Sequence, residues 1–283
     1  MPENGSGFQS VGRRPRPGPE PIALEVLYED EWLLAVDKPA GMVVHPTYKN
    51  WTGTLLNGLL AHVSPGVQPR IVTRLDKDTS GVVVVALSAD IHKRTQLDAS
   101  AGRVKKEYLA IVRGAPRPPR GSIDAPLARS ADDRRRVVID AAGQRSRTAY
   151  DVIAVEGDAA IVRCEPETGR THQIRVHLAS RGWPILGDAV YGEPCDGFTR
   201  QALHAWRVTL PHPVGREMLT FEAPLPVDLR RVQAGRLRPT AAASGMLADS
   251  SATAANPAGR SIASAVPPDG AATCPSIAVT GKA

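Results

Sequence analysis

Apolar positions recur through the middle of the chain in two rhythms, and each predicts a different element. Leu24–Leu27 and Leu33–Asp37 read as two strands around the turn Glu29-Asp30-Glu31. Leu55, Leu56, Leu59 and Leu60 have helical spacing, which predicts a helix over Gly53–His62. Val82–Leu87 is an unbroken apolar run of strand length, and its β-branched residues favour a buried strand. Ala89–Ala101 reads as a helix closed by Gly102. Tyr108–Val112, Ala149–Val155 and Ala159–Cys164 read as further strands. Thr171–Ser180 predicts a short helix ended by Gly182, with Ile174 and Leu178 one turn apart on its core face. Trp206–Leu210 and Met218–Ala223 flank a turn containing Pro213 and Gly215, a hairpin signal. Strands outnumber helices and several follow one another directly. The expected class is therefore α+β, a mainly antiparallel mixed sheet with flanking helices.

Both rhythms fail at the chain ends. Residues 1–21 are rich in Gly, Pro and Arg and predict a disordered arm. Residues 236–283 are dominated by Ala, Ser, Thr, Pro and Gly and predict a disordered tail, in which Pro257, Pro267, Pro268 and Pro275 interrupt any Ala-rich helix. The expected folded unit is 22–235. At 42% hydrophobic and only 4% aromatic residues, its core must be built from Val, Leu, Ile and Ala. No secretory pattern and no apolar run of spanning length is visible, so the expectation is a soluble cytoplasmic protein, not partnered with a membrane and monomeric by default. Cys164, Cys195 and Cys274 are odd in number and far apart, which argues against a disulfide framework or a zinc site. Of the formal net charge of +6, the arm carries +1 and the tail +2, leaving +3 on the middle. That excess suits an anionic partner without naming one.

Four segments carry residues with chemical potential. Asp37-Lys38-Pro39-Ala40-Gly41-Met42-Val43-Val44-His45-Pro46, taken alone, reads as a strand end, a Pro-Gly turn and a new strand, with Lys38 exposed. Arg74-Leu75-Asp76-Lys77-Asp78-Thr79-Ser80-Gly81 reads equally as a polar turn or as a carboxylate, Asp76, oriented by Arg74 at the mouth of a buried strand. A carboxylate so held can attack an electron-poor carbon or stabilise an oxocarbenium-like centre. In Lys105-Lys106-Glu107-Tyr108 the lysines are suited to phosphate, and Tyr108 to stacking on a base or to proton transfer; the bland alternative is a solvated turn leading into a strand. In Thr168-Gly169-Arg170-Thr171-His172-Gln173-Ile174-Arg175-Val176-His177-Leu178, His172 and Arg175 are three apart and share a helix face. Positive charge at a helix N-terminus opposes the macrodipole, so Arg170 and Arg175 point to an anion or carboxylate that needs them. His172 and His177 are five apart, not the i, i+4 spacing of a helical zinc pair, so no metal site is assigned.

At these segments the chain resembles the RluA-type pseudouridine synthase family: Lys-Pro-Ala-Gly-x-x-x-His-Pro at 38–46, Arg-Leu-Asp-x-x-Thr-Ser-Gly at 74–81, Lys-x-Tyr at Lys106 and Tyr108, and Gly-Arg-Thr-His-Gln-Ile-Arg-Val-His-Leu at 169–178. Pro184-Ile185-Leu186-Gly187-Asp188, Tyr191-Gly192, Leu203-His204-Ala205 and Ala223-Pro224-Leu225-Pro226 continue in family order, so the resemblance covers about 24–230. The family usually has His before the Arg-Leu-Asp; here it is Thr73. The N-terminal arm is too short for the separate S4-type domain of many relatives.

The resemblance implies isomerisation of uridine to pseudouridine in structured RNA, a ribosomal or transfer RNA stem-loop, with no cofactor: nothing is oxidised and no group enters or leaves. It makes Asp76 the essential residue, attacking C1′ or removing the C2′ proton, a choice the sequence leaves open. Arg175 would pair with Asp76. Arg74 would displace the target base and take its place in the stack. Tyr108 would stack on the uracil, and Lys105 and Lys106 would contact phosphate. Arg170 and His172 fall to substrate phosphate or site order, and Leu203 to an apolar floor under the base. Two rivals stand beside this reading. One is a catalytically silent RNA-binding protein on the same fold, supported by Thr73. The other is a hydrolase pairing Asp76 with Asp78, about 6–7 Å along an extended chain.

Overall fold

The computed structural model describes residues 17–47, 50–192 and 199–230 and the backbone of 238–239. In chain order the elements are β1 (Glu25–Glu29), β2 (Leu33–Lys38), α1 (Leu55–His62), β3 (Arg70–Ile71), β4 (Ser80–Ala86), α2 (Ala89–Ser100), β5 (Lys105–Arg113), β6 (Arg120–Asp124), β7 (Leu127–Arg129), β8 (Val137–Ile139), β9 (Arg147–Glu156), β10 (Ala159–Pro166), α3 (Gln173–Ser180), β11 (Leu203–Pro211), β12 (Met218–Glu222) and β13 (Arg238–Pro239). The fold is α+β. Among the described residues, β1-β2-β4-β11-β5-β10-β9-β13 form the path of an 11-stranded sheet, with β12, β3 and β6 on β11, β4 and β9. The β4–β11 pair is parallel, and the other pairs in this sheet are antiparallel.

The unbroken apolar run of β4 is explained by burial on both faces. Leu33, Ala35, Val82, Val84 and Ala86 pack with Ile91 of α2, Val208 and Phe221. Leu34, Val36, Val83 and Val85 pack with Leu55 and Leu59 of α1 and with Ile71 and Leu75. Each Val, Leu, Ile or Phe among them contributes roughly 1.5–3 kcal/mol. α1 opens on a capping box, with the Thr54 side chain accepting from the Asn57 amide and the Asn57 side chain from the Thr54 amide. The Asn57 side chain also donates to the Gly18 carbonyl at 2.8 Å, and Glu20 N–H donates to the Asn57 carbonyl at 3.0 Å. Residues 18–20, counted in the sequence with the disordered arm, are therefore docked on α1. The rest of that arm, 1–16, and the tail beyond β13 lie outside the described residues.

The parallel contact of β4 with β11 fixes two residues. A Cβ at Gly81, which has φ +115°, would run into the Ala205 carbonyl, so only glycine fits. Beside it, Ser80 Oγ and fully buried His204 Nδ1 lie 2.9 Å apart, and His204 Nε2 lies 3.2 Å from the Ala223 carbonyl. A neutral ring satisfies both, with Nε2–H donating to the carbonyl and Nδ1 accepting from Ser80. Burial pushes His204 down to about 4 from 6.5. The unfolded chain then binds more protons below pH 6.5, so stability is full above that pH and falls as pH drops towards 4. Between pH 7 and pH 5 this one group is expected to cost about 2 kcal/mol. Urea melts at the two pH values check this: the pH-dependent loss should shrink by that amount in His204→Gln.

Candidate active site

Asp76 sits in the loop between β3 and β4, and that loop is pinned at almost every residue. Thr73 Oγ1 accepts the Val84 N–H at 2.9 Å. Leu75 is buried in the core beside Leu55 and Leu59. The Lys77 carbonyl accepts Gly41 N–H at 2.9 Å and Lys38 Nζ at 3.0 Å. Arg200 donates to the Asp78 carbonyl at 3.1 Å and Gln201 to Thr79 Oγ1 at 3.2 Å. Lys38 corrects the expectation of an exposed side chain: it is 0% exposed, and its ammonium also donates to the carbonyls of Pro39 and Met42 at 2.8 and 2.9 Å. Three carbonyl acceptors satisfy its three protons, although burial still lowers it to about 8.

α3 supplies the other half of the site. Helical spacing predicts a start at Thr171, but the helix begins at Gln173, because His172 adopts a left-handed conformation with φ 55°. Histidine is among the few side chains enriched there. Gln173 accepts from Thr168 Oγ1 and from the Arg170 amide and donates to the Arg147 carbonyl and Thr148 Oγ1, which ties the helix start to β9. Ile174 and Leu178 face the core, which leaves Arg175 to point at the loop. Arg175 Nη1 donates to Asp76 Oδ2 at 2.9 Å. Its Nε and Nη2 hold Asp188 in a fork at 2.6 and 2.8 Å. Asp188 is wholly buried and also accepts the amides of Val190 and Tyr191. Despite the cost of burial, these donors hold its carboxyl below the usual range.

Arg175 is thus a shared cation: one edge is fixed by Asp188, and Nη1 is presented to Asp76. His172 Nε2 stands 3.8 Å from the same Asp76 Oδ2. Both contacts fall on Oδ2, and Oδ1 has no side-chain partner among the described residues. The Asp76 side chain retains 27% exposure, so the carboxylate is held yet reachable. Tyr108 lies close enough for burial and the Asp76 charge to raise its phenol well above the ordinary value, which keeps it protonated.

The structure brings together some of the sequence-predicted residues and separates others. Asp76, Arg175, His172 and Tyr108 converge. Arg74 is exposed at the rim, and its Nη2 donates to Thr171 Oγ1 at 2.8 Å across the opening. Leu203 is buried in the cluster against which Tyr108 packs. Strand alternation splits the two lysines. Lys106 shares the Tyr108 face, its Nζ 3.6 Å from where a Cβ on Gly169 would stand. Lys105 is exposed and points from the other face, with Glu107, so it does not join the site. Arg170 turns away as well, its Nε donating to the Arg145 carbonyl at 3.3 Å. The carboxylate coupled to Asp76 through Arg175 is Asp188 rather than Asp78, and with its depressed pKa it is a poor general acid for a hydrolase.

Sequence reasoning passed over the roles of Asp188, Tyr191 and Lys38. Tyr191 Oη accepts the Val137 amide at 2.7 Å and lies 2.8 Å from His172 Nδ1. The guanidinium carbons of Arg175 and Arg136 lie 5.1 and 5.5 Å from its ring centre. Among the described residues no cluster of three His, Cys, Asp or Glu side chains is arranged to hold a metal ion, and no helix is long and apolar enough to cross a membrane.

Residues 32–180 match the family described as RNA pseudouridylate synthase. The chain is 41% identical over 237 residues to a ribosomal large subunit pseudouridine synthase D of Zymomonas mobilis, spanning 76% of this chain and 74% of that one. It is 44% identical over 222 residues to the protein of that name from Nitrosomonas europaea, spanning 74% of this chain and 64% of the relative. Among solved structures, human RNA pseudouridylate synthase domain containing 1 superposes with a TM-score of 0.63 at 29% identity, covering 77% of this chain and 89% of the human one.

Proposed function

The chain belongs to the RNA pseudouridylate synthase family, and on that premise we propose that Asp76 is its essential catalytic residue and large-subunit ribosomal RNA its substrate. It is an isomerase that converts uridine in RNA to pseudouridine. The observation that carries the Asp76 assignment is its geometry: Oδ2 is held by Arg175 at 2.9 Å while Oδ1 is left for chemistry. The names of the relatives support the ribosomal substrate. We assign the enzyme to the cytoplasm as a monomer, with a catalytic unit that takes in residues 18–20 and β13 beyond the expected 22–235.

The reaction breaks the N1–C1′ bond, turns the uracil and joins C5 to C1′. The proton lost from C5 is balanced by one gained at N1. Asp76 acts either by bonding to C1′ or by removing the C2′ proton. Tyr108, protonated and on the apolar side of the site, stacks on the base, with Leu203 in the floor behind it. Arg74 at the rim fills the gap left by the extruded uridine, whose unstacking costs a few kcal/mol. Lys106 meets the backbone phosphate. Closure of the base over Asp76 keeps water from C1′.

The deciding experiment is tritium release from a pseudouridine-free 23S-type transcript labelled at uridine C5, without added metal or nucleotide and beside an equivalent transfer RNA transcript. Release from the ribosomal transcript without free uracil is expected. Release from the transfer RNA alone would replace the substrate. Free uracil would turn the reading to a hydrolase, and binding without release to a silent RNA-binding protein.

A further inference from the structure

The contacts around Tyr191 determine more than its own position. Its hydroxyl has one proton and two lone pairs. The Val137 amide, which can only donate, occupies one lone pair at 2.7 Å. The remaining close partner is His172 Nδ1 at 2.8 Å. If Nδ1 carried a proton, it would take the second lone pair, strand the phenol proton and turn the bare Nε2 lone pair towards the Asp76 carboxylate. If Nδ1 accepts the phenol proton, the hydroxyl and Nδ1 are both satisfied, and Nε2–H faces the Asp76 carboxylate, 3.8 Å from Oδ2 and beyond hydrogen-bond length. Partial burial favours the neutral ring, as do the charges of Arg175 and Arg129, against the opposing pull of Asp76 and Asp188. Tyr191 itself stays protonated because burial raises its phenol, although the Val137 amide and the nearby charges of Arg175 and Arg136 work the other way.

We propose that Tyr191 is a positioning residue: its hydroxyl locks His172 in the Nε2–H form, so that His172 and Arg175 together steer Asp76 Oδ2 and leave Oδ1 for the ribose. The reading rests on Asp76 being the catalytic carboxylate. The lock also ties the site to a remote element. Val137 belongs to β8, which pairs with β7 in a separate two-stranded sheet, and Val137, Leu127 and Val176 of α3 form the small apolar cluster against which Tyr191 packs. The turn between β7 and β8 carries Arg134, Arg135 and Arg136, all exposed. Only when this hairpin is seated does the Val137 amide occupy the first lone pair of Tyr191. The hairpin thereby bears on the His172 half of the Asp76 contacts, while Arg175 is held separately by Asp188.

Nitrogen NMR of ring-labelled histidine in the full chain reads the His172 tautomer directly, with His172→Gln identifying the signal. This measurement needs no turnover, so it stands or falls separately from the RNA assay. At pH 7 the wild type is expected in the Nε2–H form. Tyr191→Phe keeps the ring packing and removes only the hydroxyl; it is expected to give a mixture of tautomers. Its kcat should fall on the order of 10- to 100-fold, with KM within about twofold, as expected when transition-state rather than binding interactions are lost. A wild-type Nδ1–H form or imidazolium overturns the proposal even if the variant does not fold. So does a Tyr191→Phe enzyme with unchanged kcat, or one whose defect lies in KM alone.

Discussion

Replacing Asp76 by asparagine is expected to reduce pseudouridine formation by at least about 10⁴-fold, the scale seen when a reacting group is removed from an otherwise intact site. The substitution preserves shape, and its amide oxygen can still accept from Arg175 Nη1. What disappears is the charge that, in the proposed mechanism, bonds to C1′ or takes the C2′ proton. Stability should change little. The Asp76 side chain is 27% exposed, and the other edge of Arg175 remains forked to Asp188. RNA affinity should stay within a few-fold, since the phosphate-facing cations are untouched. Single-turnover tritium release, thermal melting and RNA binding on the same preparation test all three statements. Asp76→Asn retaining more than about a tenth of wild-type turnover would move the catalytic role to another group.

The expected separation of stability from activity at Asp76 rests on a loop braced by backbone and buried contacts rather than by the carboxylate. That bracing was only partly legible in the sequence. The run Val82–Leu87 reads as a buried strand, and of the two helices that cover it, one reads from its leucine spacing over Gly53–His62 and the other as Ala89–Ala101 closed by Gly102. The β6–β8 region was not read, because strands of three to five residues are too short to show a period. Pairings across long sequence separations were equally hidden: nothing local tells that Ser80 meets His204, or that Lys38 reaches the carbonyl of Lys77.

The site divides along the same line. Asp76, Tyr108 and Arg175, singled out by their motifs, converge in the fold. Lys38 read as an ordinary surface lysine, because its burial against β4 and its third carbonyl, that of Lys77, are assembled only by the fold. Asp188 and Tyr191 lay in a stretch noted for its family order, yet no role followed from it. Their functions are relations, to Arg175 and to His172, and neither partner is near them in sequence. Lys105 and Arg170 belong to basic motifs, but strand alternation and the turn before α3 direct them away from the carboxylate.

Asp188→Asn is expected to show the opposite pattern from Asp76→Asn, losing stability and activity together. Asp188 has no exposed surface and accepts both arms of the Arg175 fork. An asparagine there removes the buried countercharge and turns an amide NH2 towards a guanidinium that can only donate. Breaking one side of a buried pair costs about 3–5 kcal/mol, which for a domain of this size lowers the melting temperature on the order of 10 °C. The effect should be constant across pH 6–8. A carboxyl whose folded pKa is depressed contributes its stability above its unfolded value near 4, and that contribution is lost only as pH falls through the folded value. Activity should fall about 100-fold even where the variant is fully folded, because Arg175 no longer has a fixed edge from which to present Nη1 to Asp76. Melts and turnover at a temperature well below the new transition test both parts. A variant as stable as the wild type would mean that Arg175 does not need Asp188. A folded variant with full activity would mean that Asp76 is oriented without Arg175, leaving His172 and the pinned loop to do so alone.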